Sequence, residues 1–133
     1  MARDARQVIA LALLAMVHLG LGGVMVFAPG TFFEHIGAYG VQNDHYIRDL
    51  GAVYLAYGAA SLLAMGWHGW RAALFGLGAL WYGLHAVNHI VDVGEASSTT
   101  SGVTDAVLIS VGALVLAWLA RDAREPSWGS AAR

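Results

Sequence analysis

The sequence contains no cysteine, and that absence excludes several kinds of chemistry at once. A chain without thiols forms no disulfide, binds no metal through thiolate ligands and has no cysteine nucleophile. Any bound metal must take its ligands from His, Asp, Glu, Met or backbone oxygen. The lack of cysteine leaves the redox compartment of the protein undetermined.

Charged residues are also scarce, at 12% of the 133 residues, whereas about 25% is usual for soluble domains. Hydrophobic residues make up 58% of the chain, which is more apolar surface than a soluble domain of this size can bury. The net charge of −2 supplies no basic field that would attract nucleic acid. Composition therefore excludes nucleic acid as a partner and indicates a lipid bilayer instead.

Four long apolar segments follow one another along the chain, and each is close to the roughly 20 residues that an α-helix needs to cross the hydrocarbon of a bilayer. The predicted helices are residues 7–28, 44–67, 70–92 and 102–121. We therefore predict an all-α fold, a bundle of four transmembrane helices that forms one domain over residues 1–121. Residues 122–133 are expected to be a disordered cytoplasmic tail. The first segment is interpreted as an uncleaved helix and not as a secretory signal, because Pro29 would follow the cleavage site.

Arginine supplies all seven basic side chains, and their distribution predicts the orientation of the protein. Six of them lie before the first helix, between the second and third, or after the fourth: Arg3, Arg6, Arg71, Arg121, Arg124 and Arg133. Short segments rich in arginine stay in the cytoplasm, so we expect a multi-pass protein of the cell membrane with both termini cytoplasmic. The loops at residues 29–47 and 92–101 then face the outside, where Arg48 is the one basic residue.

The first outer loop carries the pattern of a short helix. Thr31 and Glu34 are spaced as a capping box, which predicts a helix that begins after Thr31 and lies in the outer interface of the membrane. Residues with side-chain oxygens are expected to cap the second and fourth membrane helices: Asn43 or Asp44, and Ser101. Asp105 is expected in the first turn of the fourth helix, where the helix dipole favours an anion.

Glycine is abundant, with 17 residues, and several glycines fall at small-residue spacing within the predicted helices. They are Gly20, Gly22, Gly23, Gly51, Gly58, Gly76 and Gly83. In membranes such positions let helix backbones approach closely, so we expect most of these glycines to lie at helix contacts.

Polar side chains interrupt three of the apolar segments. They are His18 in the first, Asn43, His45, Arg48 and Asp49 at the start of the second, and His85, Asn88, His89 and Asp92 in the third. The last four recur at i, i+3, i+4 and i+7 and so share one helix face. At 1.5 Å of rise per residue, His18 and His85 lie about 16 and 20 Å from the inner ends of their helices, which are similar depths. The same count places Asp49 and His89 at one level nearer the outside, where we expect them to interact.

Two histidines one helical turn apart with carboxylates nearby are suited to a divalent metal such as Zn²⁺. The predicted ligands are His45, Asp49, His85, His89 and Asp92, with Asn43, Arg48 and Asn88 as supporting polar groups. The same groups are suited to relaying protons, because histidine exchanges protons near neutral pH. The sequence has no zinc-protease HExxH motif, phosphate-binding loop, serine elbow or dinucleotide fingerprint.

Two stretches, NDHYIRDLGAVYLAYG from Asn43 and LHAVNHIVDVGEA from Leu84, resemble a family of small uncharacterised four-helix bacterial integral membrane proteins. The patterns that carry the resemblance are N-x-H-x-x-R-D-x-G and L-H-x-x-N-H-x-x-D, and the likeness covers residues 29–105. The resemblance implies a fold and a membrane location and no activity. In plan the chain is also similar to other four-helix families such as the DoxX-like proteins, with which it shares no motif.

The residues leave three functions open, and enzyme activity stays undecided. The first is a membrane protein whose outward-facing His/Asp site binds a divalent metal or relays protons. The second is an accessory subunit or a binder of a small hydrophobic ligand, in a homo-oligomer or a larger membrane complex, whose polar groups are structural. The third is a b-type haem protein with His18 and His85 as axial ligands and Arg48 near a propionate.

Overall fold

A computed structural model describes residues 2–124, and all of their regular elements are helices. In chain order these are α1 (Ala2–Phe27), α2 (Pro29–His35), α3 (Asp44–Gly66), α4 (His68–Val91) and α5 (Thr99–Arg124), with a 3₁₀ turn at Val93–Glu95. Tyr39 and Ala96 form an isolated antiparallel bridge, the one β-type pairing within residues 2–124. The prediction of an all-α fold is confirmed.

Three of these helices, α1, α3 and α5, are long and apolar enough to cross a membrane. Helix α4 has a similar length, 24 residues, and is not one of these three; it contains three histidines, an asparagine and an arginine. The length and composition of the three helices indicate association with a membrane.

The first and last helices extend beyond their predicted bounds. Helix α1 begins at Ala2, before the predicted start, and α5 ends at Arg124, after the predicted end. Residues 122–124, predicted as part of the tail, therefore form the last turn of α5. The rest of the predicted tail, residues 125–133, lies outside the described part of the chain.

The short helix α2 exists, but it starts differently from the prediction. It begins at Pro29, whose fixed φ suits the first helical position, and no side chain caps it. The prediction of a capping box formed by Thr31 and Glu34 is therefore wrong. The predicted cap of α3 is confirmed, because the Asn43 side chain accepts hydrogen bonds from two backbone N–H groups of the first turn, at 3.2 and 3.3 Å.

The start of α5 also differs from the prediction. The hydroxyl of Ser98 accepts a hydrogen bond from the backbone N–H of Ser101 at 3.1 Å, so Ser98 and not Ser101 caps this end of the helix. Because the helix begins three residues earlier, at Thr99, Asp105 lies in the second turn and not in the first. Its side chain is consequently directed to a partner outside the helix, which is described below.

The four long helices run antiparallel to their chain neighbours and pack most closely in two pairs, α1 with α3 and α4 with α5. Residues 36–43 and 92–98 connect helices at one end of the bundle, which we call the loop end. The opposite end, the terminal end, holds Trp67 between α3 and α4 and both termini of the described chain. The hydrophobic core draws on all four long helices: Leu11, Tyr57, Ala64, Leu74, Phe75, Leu116, Leu119 and Ala120.

Glycines bring the backbones of α1 and α3 into contact. A Cβ atom added at Gly22 would lie 2.9 Å from the carbonyl oxygen of Gly51 and 2.9 Å from the backbone nitrogen of Leu55. A Cβ added at Gly58 would lie 2.8 Å from the Leu19 side chain. The prediction of close helix contacts is confirmed at these positions. It is wrong at Gly20, Gly23 and Gly83, where a Cβ would meet no atom within 4 Å.

Gly22 and Gly23 provide a matched test of this packing. Gly22→Ala is expected to destabilise the protein by about 1–3 kcal/mol, because the new methyl group meets the α3 backbone, which cannot turn aside as a side chain does. Gly23→Ala is expected to leave stability unchanged or to raise it, since alanine is the better helix former. Thermal unfolding in detergent, followed by circular dichroism, measures both. Equal melting temperatures for the two variants would contradict the close packing of α1 on α3.

Candidate functional site

Four polar side chains form a hydrogen-bonded chain near the loop end. The Nε2 atoms of His85 and His89 lie 3.3 Å apart, and Nδ1 of His89 lies 3.0 Å from the Tyr39 hydroxyl. Tyr39 donates from its hydroxyl to the Asp105 carboxylate at 3.2 Å. We call these four residues the relay chain. It joins α4, the connection between α2 and α3, and α5.

The backbone of two connecting segments holds Tyr39 between the helices. The bridge to Ala96 ties Tyr39 to the segment that follows α4, and Gly40 turns the chain with a φ of +59°, a conformation that favours glycine. The Tyr39 ring meets the His89 ring edge-on, with centroids 4.9 Å apart. Since His85 precedes His89 by one turn of α4, its ring lies against the same ring, at 4.6 Å.

The chemistry of the four groups gives the hydrogen bonds one direction. An ionised carboxylate only accepts, so the Tyr39 proton is directed to Asp105. The Tyr39 oxygen then accepts from Nδ1–H of His89, and the Nε2 lone pair of a neutral His89 accepts from Nε2–H of His85. All three donors therefore point from α4 toward Asp105. Such an alignment is what a proton relay requires, because the two middle groups, His89 and Tyr39, each accept one hydrogen bond and donate another.

Tyr39 is a neutral donor at physiological pH. Burial raises the pKa of its hydroxyl above the usual value, and the negative charge of Asp105 and the hydrogen bond to it raise this pKa further. A tyrosine whose pKa is raised keeps its proton at neutral pH. The hydroxyl of Tyr39 thus passes a proton on only when it receives another from His89.

His18 is fully buried and belongs to a separate cluster. Its Nδ1–H donates to the Leu14 carbonyl at 2.7 Å, and its Nε2 accepts from the Tyr82 hydroxyl at 3.1 Å. The ring packs among four aromatic side chains, with centroid distances of 4.7 to 5.8 Å: Tyr54, Tyr57, Trp81 and Tyr82. His18 and His85, which the sequence places at similar depths, have separate partners: Nε2 of His18 accepts from Tyr82, and Nε2 of His85 contacts His89.

The same contacts disfavour the haem alternative. An axial histidine binds iron through one ring nitrogen, which needs an open coordination direction. Both nitrogens of His18 are engaged within the protein, and aromatic rings cover the side chain. The Nε2 atom of His85 is engaged by His89, so it is not directed at His18 across a haem. The donor set therefore does not fit a haem held between His18 and His85.

The polar residues at the start of α3 are separate from the relay chain. His45 pairs with Asp49 at 3.4 Å and Arg48 with Asp44 at 3.8 Å, in each case one turn apart on the same helix. His45 and Asp49 are 78% and 65% exposed, so they face the surroundings of the bundle. The predicted interaction of Asp49 with His89 is wrong: Tyr39 lies next to His89, and Asp49 turns to its own helix.

The predicted ligand set is thus only partly brought together. His85 and His89 meet, His45 and Asp49 meet elsewhere, and Asp92 is exposed at the end of α4. The supporting groups Asn43, Arg48 and Asn88 are exposed as well, Asn43 as the cap of α3. Among residues 2–124, no group of three or more His, Asp or Glu side chains is arranged to hold a metal ion.

A second polar network, which the sequence analysis did not single out, lies at the terminal end. Arg71 is only 2% exposed and donates to the carbonyls of Ala64 and Met65, the last-turn acceptors of α3, at 3.1 and 2.8 Å. It also donates to Asp4 and, at 3.3 Å, to the side-chain oxygen of Gln7. These bonds tie the starts of α1 and α4 to the end of α3.

The network continues from Gln7 to α5. Gln7 donates to Asp122 at 3.1 Å, and Asp122 also pairs with Arg6 at 3.2 Å and with Arg3 at 3.5 Å. All four long helices are therefore joined by polar contacts at this end. The signal in the sequence was the placement of Asp4 and Asp122 beside arginines. Their partners are distant in sequence, however: Asp4 is 67 residues from Arg71 and Asp122 is 116 residues from Arg6, so only the fold brings them together.

No family model, curated protein or solved structure matches the chain. Geometry and chemistry therefore carry the functional argument.

Arg71 is expected to be the most costly arginine to replace. Arg71→Ala leaves the Ala64, Met65 and Gln7 oxygens without their donor, a loss on the order of 1–3 kcal/mol for buried groups. Arg48→Ala, which removes an exposed arginine paired within its own helix, is expected to cost less than about 0.5 kcal/mol. Denaturant titration in mixed micelles compares the two. Equal losses would mean that the Arg71 network does not hold the helices together.

Proposed function

We propose that the protein is a bundle of four membrane-spanning helices, with α4 as the fourth. Two features of α4 support this. Its 24 residues extend about 36 Å at 1.5 Å per residue, and it runs antiparallel between the neighbouring spans α3 and α5. One side of α4 is apolar and more than half exposed along its length, as a lipid-facing side must be: Leu77, Leu80, Leu84, Val87 and Ile90.

We propose further that the terminal end faces the cytoplasm. Five of the six arginines in the described part of the chain gather there: Arg3, Arg6, Arg71, Arg121 and Arg124. Arg48 alone lies at the loop end, and arginine-rich ends stay in the cytoplasm. Trp67 and Trp70 are half-exposed at the terminal end, which suits an aromatic belt at the interface. The loop end, with α2 in the interface, then faces outward.

The function that the site supports best is proton relay through the outer half of this bundle. The observation that carries the proposal is the unbroken sequence of three hydrogen bonds from His85 to Asp105, at 3.3, 3.0 and 3.2 Å. Ionisable residues inside membrane helices are costly and commonly mark proton pathways. His85 lies about 9 Å deeper than the end of α4, so the relay chain connects the outer surface with a point inside the membrane.

A transfer along the relay chain balances in protons. When a proton arrives at Nδ1 of His85, its Nε2 proton passes to His89. The Nδ1 proton of His89 then passes to the Tyr39 oxygen, and the Tyr39 proton passes to Asp105. The net result is one proton taken up at His85 and one delivered to Asp105. After Asp105 releases that proton to water, rotation of the two histidine rings and of the Tyr39 hydroxyl restores the starting arrangement. The reverse sequence brings a proton inward to a partner or ligand at His85.

A divalent metal bound by His85 and His89 is the second candidate. The 3.3 Å between their Nε2 atoms equals the separation, roughly 3.3 Å, of two nitrogens that bind one Zn²⁺ tetrahedrally at about 2.0–2.1 Å. Two imidazoles bind Zn²⁺ more weakly than the three or four ligands of closed protein sites. The hydrogen bond from Nδ1 of His89 to Tyr39 suits either candidate. The lack of a third His, Asp or Glu ligand within residues 2–124 favours the relay.

Tyr39→Phe tests the relay directly, because it removes one hydroxyl and keeps the ring. Nitrogen-15 NMR of histidine-labelled protein is expected to show His89 protonated at Nδ1 and His85 at Nε2. In Tyr39→Phe the Nδ1–H of His89 loses its acceptor, so both tautomers become populated and the two histidine signals shift. Tyr46→Phe is the control, since Tyr46 is an exposed tyrosine at the same end. Unchanged histidine signals in Tyr39→Phe would contradict the relay chain.

The same labelled protein separates the metal candidate from the relay. Stoichiometric Zn²⁺ binding would shift the Nε2 signals of both His85 and His89, and His89→Ala would abolish it while His45→Ala would not. Signals that stay unchanged at saturating Zn²⁺ dismiss the metal candidate and leave the relay as the function proposed.

A further inference from the structure

A groove on the lipid-facing surface between α4 and α5 ends at two arginines. It has a volume of about 720 Å³. Small and apolar side chains line its length, and basic side chains lie at its terminal end: Ala73, Gly76, Leu80, Ala117, Arg121 and Arg124. The groove exists because alanine and glycine occupy positions where larger residues would fill the space between the two helices.

The Arg124 side chain lies along the groove and does not extend away from the bundle. One of its terminal nitrogens lies 3.8 Å from the position that a Cβ atom would take at Gly76, which is in the third turn of α4. Helical side chains lean toward the helix N-terminus, and Arg124 follows this rule from the last turn of α5. An arginine at a membrane surface ordinarily directs its charge to water. Here the guanidinium lies over an apolar surface instead.

The two groove arginines also differ from their neighbours in charge pairing. At the same end of the bundle, Arg71 is paired with Asp4, and Arg3 and Arg6 with Asp122. Neither Arg121 nor Arg124 makes a hydrogen bond or an ion pair with any residue in the range 2–124. Two neighbouring positive charges beside an apolar groove call for an anion that carries its own apolar part.

We propose that this groove binds an anionic phospholipid of the cytoplasmic leaflet. Its phosphate lies between Arg121 and Arg124, and one acyl chain follows the groove from Gly76 to Leu80, a distance of about 6 Å along α4. Basic pockets between membrane helices on the cytoplasmic side recognise anionic head groups in this way. The proposal rests on the four-span arrangement proposed above and is independent of the relay chain.

The test uses the full chain in a neutral detergent with phosphatidylglycerol and phosphatidylcholine as probes. Native mass spectrometry is expected to find one phosphatidylglycerol bound per chain, at least tenfold more tightly than phosphatidylcholine. The double variant Arg121→Gln/Arg124→Gln is expected to lose at least tenfold in this affinity. Arg3→Gln/Arg6→Gln, which removes the same charge at the same end, is expected to keep it. Thermal melts confirm that each variant is folded.

Gly76→Leu tests the apolar half of the site without a change in charge. Among residues 2–124, the only atom within 4 Å of a Cβ at Gly76 is the end of the Arg124 side chain. The variant is therefore expected to fold and to weaken phosphatidylglycerol binding by filling the groove. Inorganic phosphate at millimolar concentration is expected not to displace the lipid. Equal binding by the two arginine double variants would overturn the proposal. So would displacement by phosphate together with full binding in Gly76→Leu, because the site would then bind free anions and not a lipid.

Discussion

The packing of the loop end depends on the hydroxyl of Tyr39. It donates to Asp105 and accepts from His89 at the same time, and so it links the connection before α3 with α4 and α5. Within residues 2–124, the Asp105 carboxylate and Nδ1 of His89 have no hydrogen-bond partner other than the Tyr39 hydroxyl. A carboxylate and an imidazole in an apolar bundle are costly unless they are satisfied within the protein, and one phenol satisfies both.

At the terminal end, an arginine satisfies the buried polar groups. Arg71 uses its fork of donors to satisfy two carbonyls at the end of α3 as well as Asp4 and Gln7. Arginine donates most of the hydrogen bonds of that network, and the exposed His68 also contacts Asp4, at 3.2 Å. The relay chain at the loop end consists instead of groups that exchange protons. This difference supports the proposal that the terminal end is structural and that the loop end carries protons.

Much of the fold follows from composition and periodicity, because long apolar segments have few alternatives to helices and helix geometry brings residues four apart together. The contact of His85 with His89 follows from that rule alone. The predicted pairing of Asp49 with His89 failed, since the depth of a residue along a helix says nothing about the direction in which its side chain points. Asp49 shares the right level but faces outward.

Tyr39 could not be placed from the sequence, because it lies in an irregular connection whose path depends on the bridge to Ala96. Asp105 was predicted in the first turn of its helix, where a favourable interaction with the helix dipole explains an acidic residue without any partner. The helix begins earlier, at Thr99, so Asp105 lies in the second turn, where it accepts from Tyr39. The Arg71 network could not be predicted from local patterns either, because Asp4 and Gln7 lie more than 60 residues from Arg71, and Asp122 lies 115 residues from Gln7. Local chemistry was readable in the sequence, and long-range partners were not.

The central claim is that His85 exchanges protons with water at the loop end and not at the terminal end. The most direct test places histidine-labelled protein in vesicles in a single orientation, sets the pH on each side separately, and follows the protonation of His85 by nitrogen-15 NMR. The account predicts that the His85 signal follows the pH on the loop side and ignores the pH on the terminal side. A signal that follows the terminal side, or that responds to neither side, would contradict it.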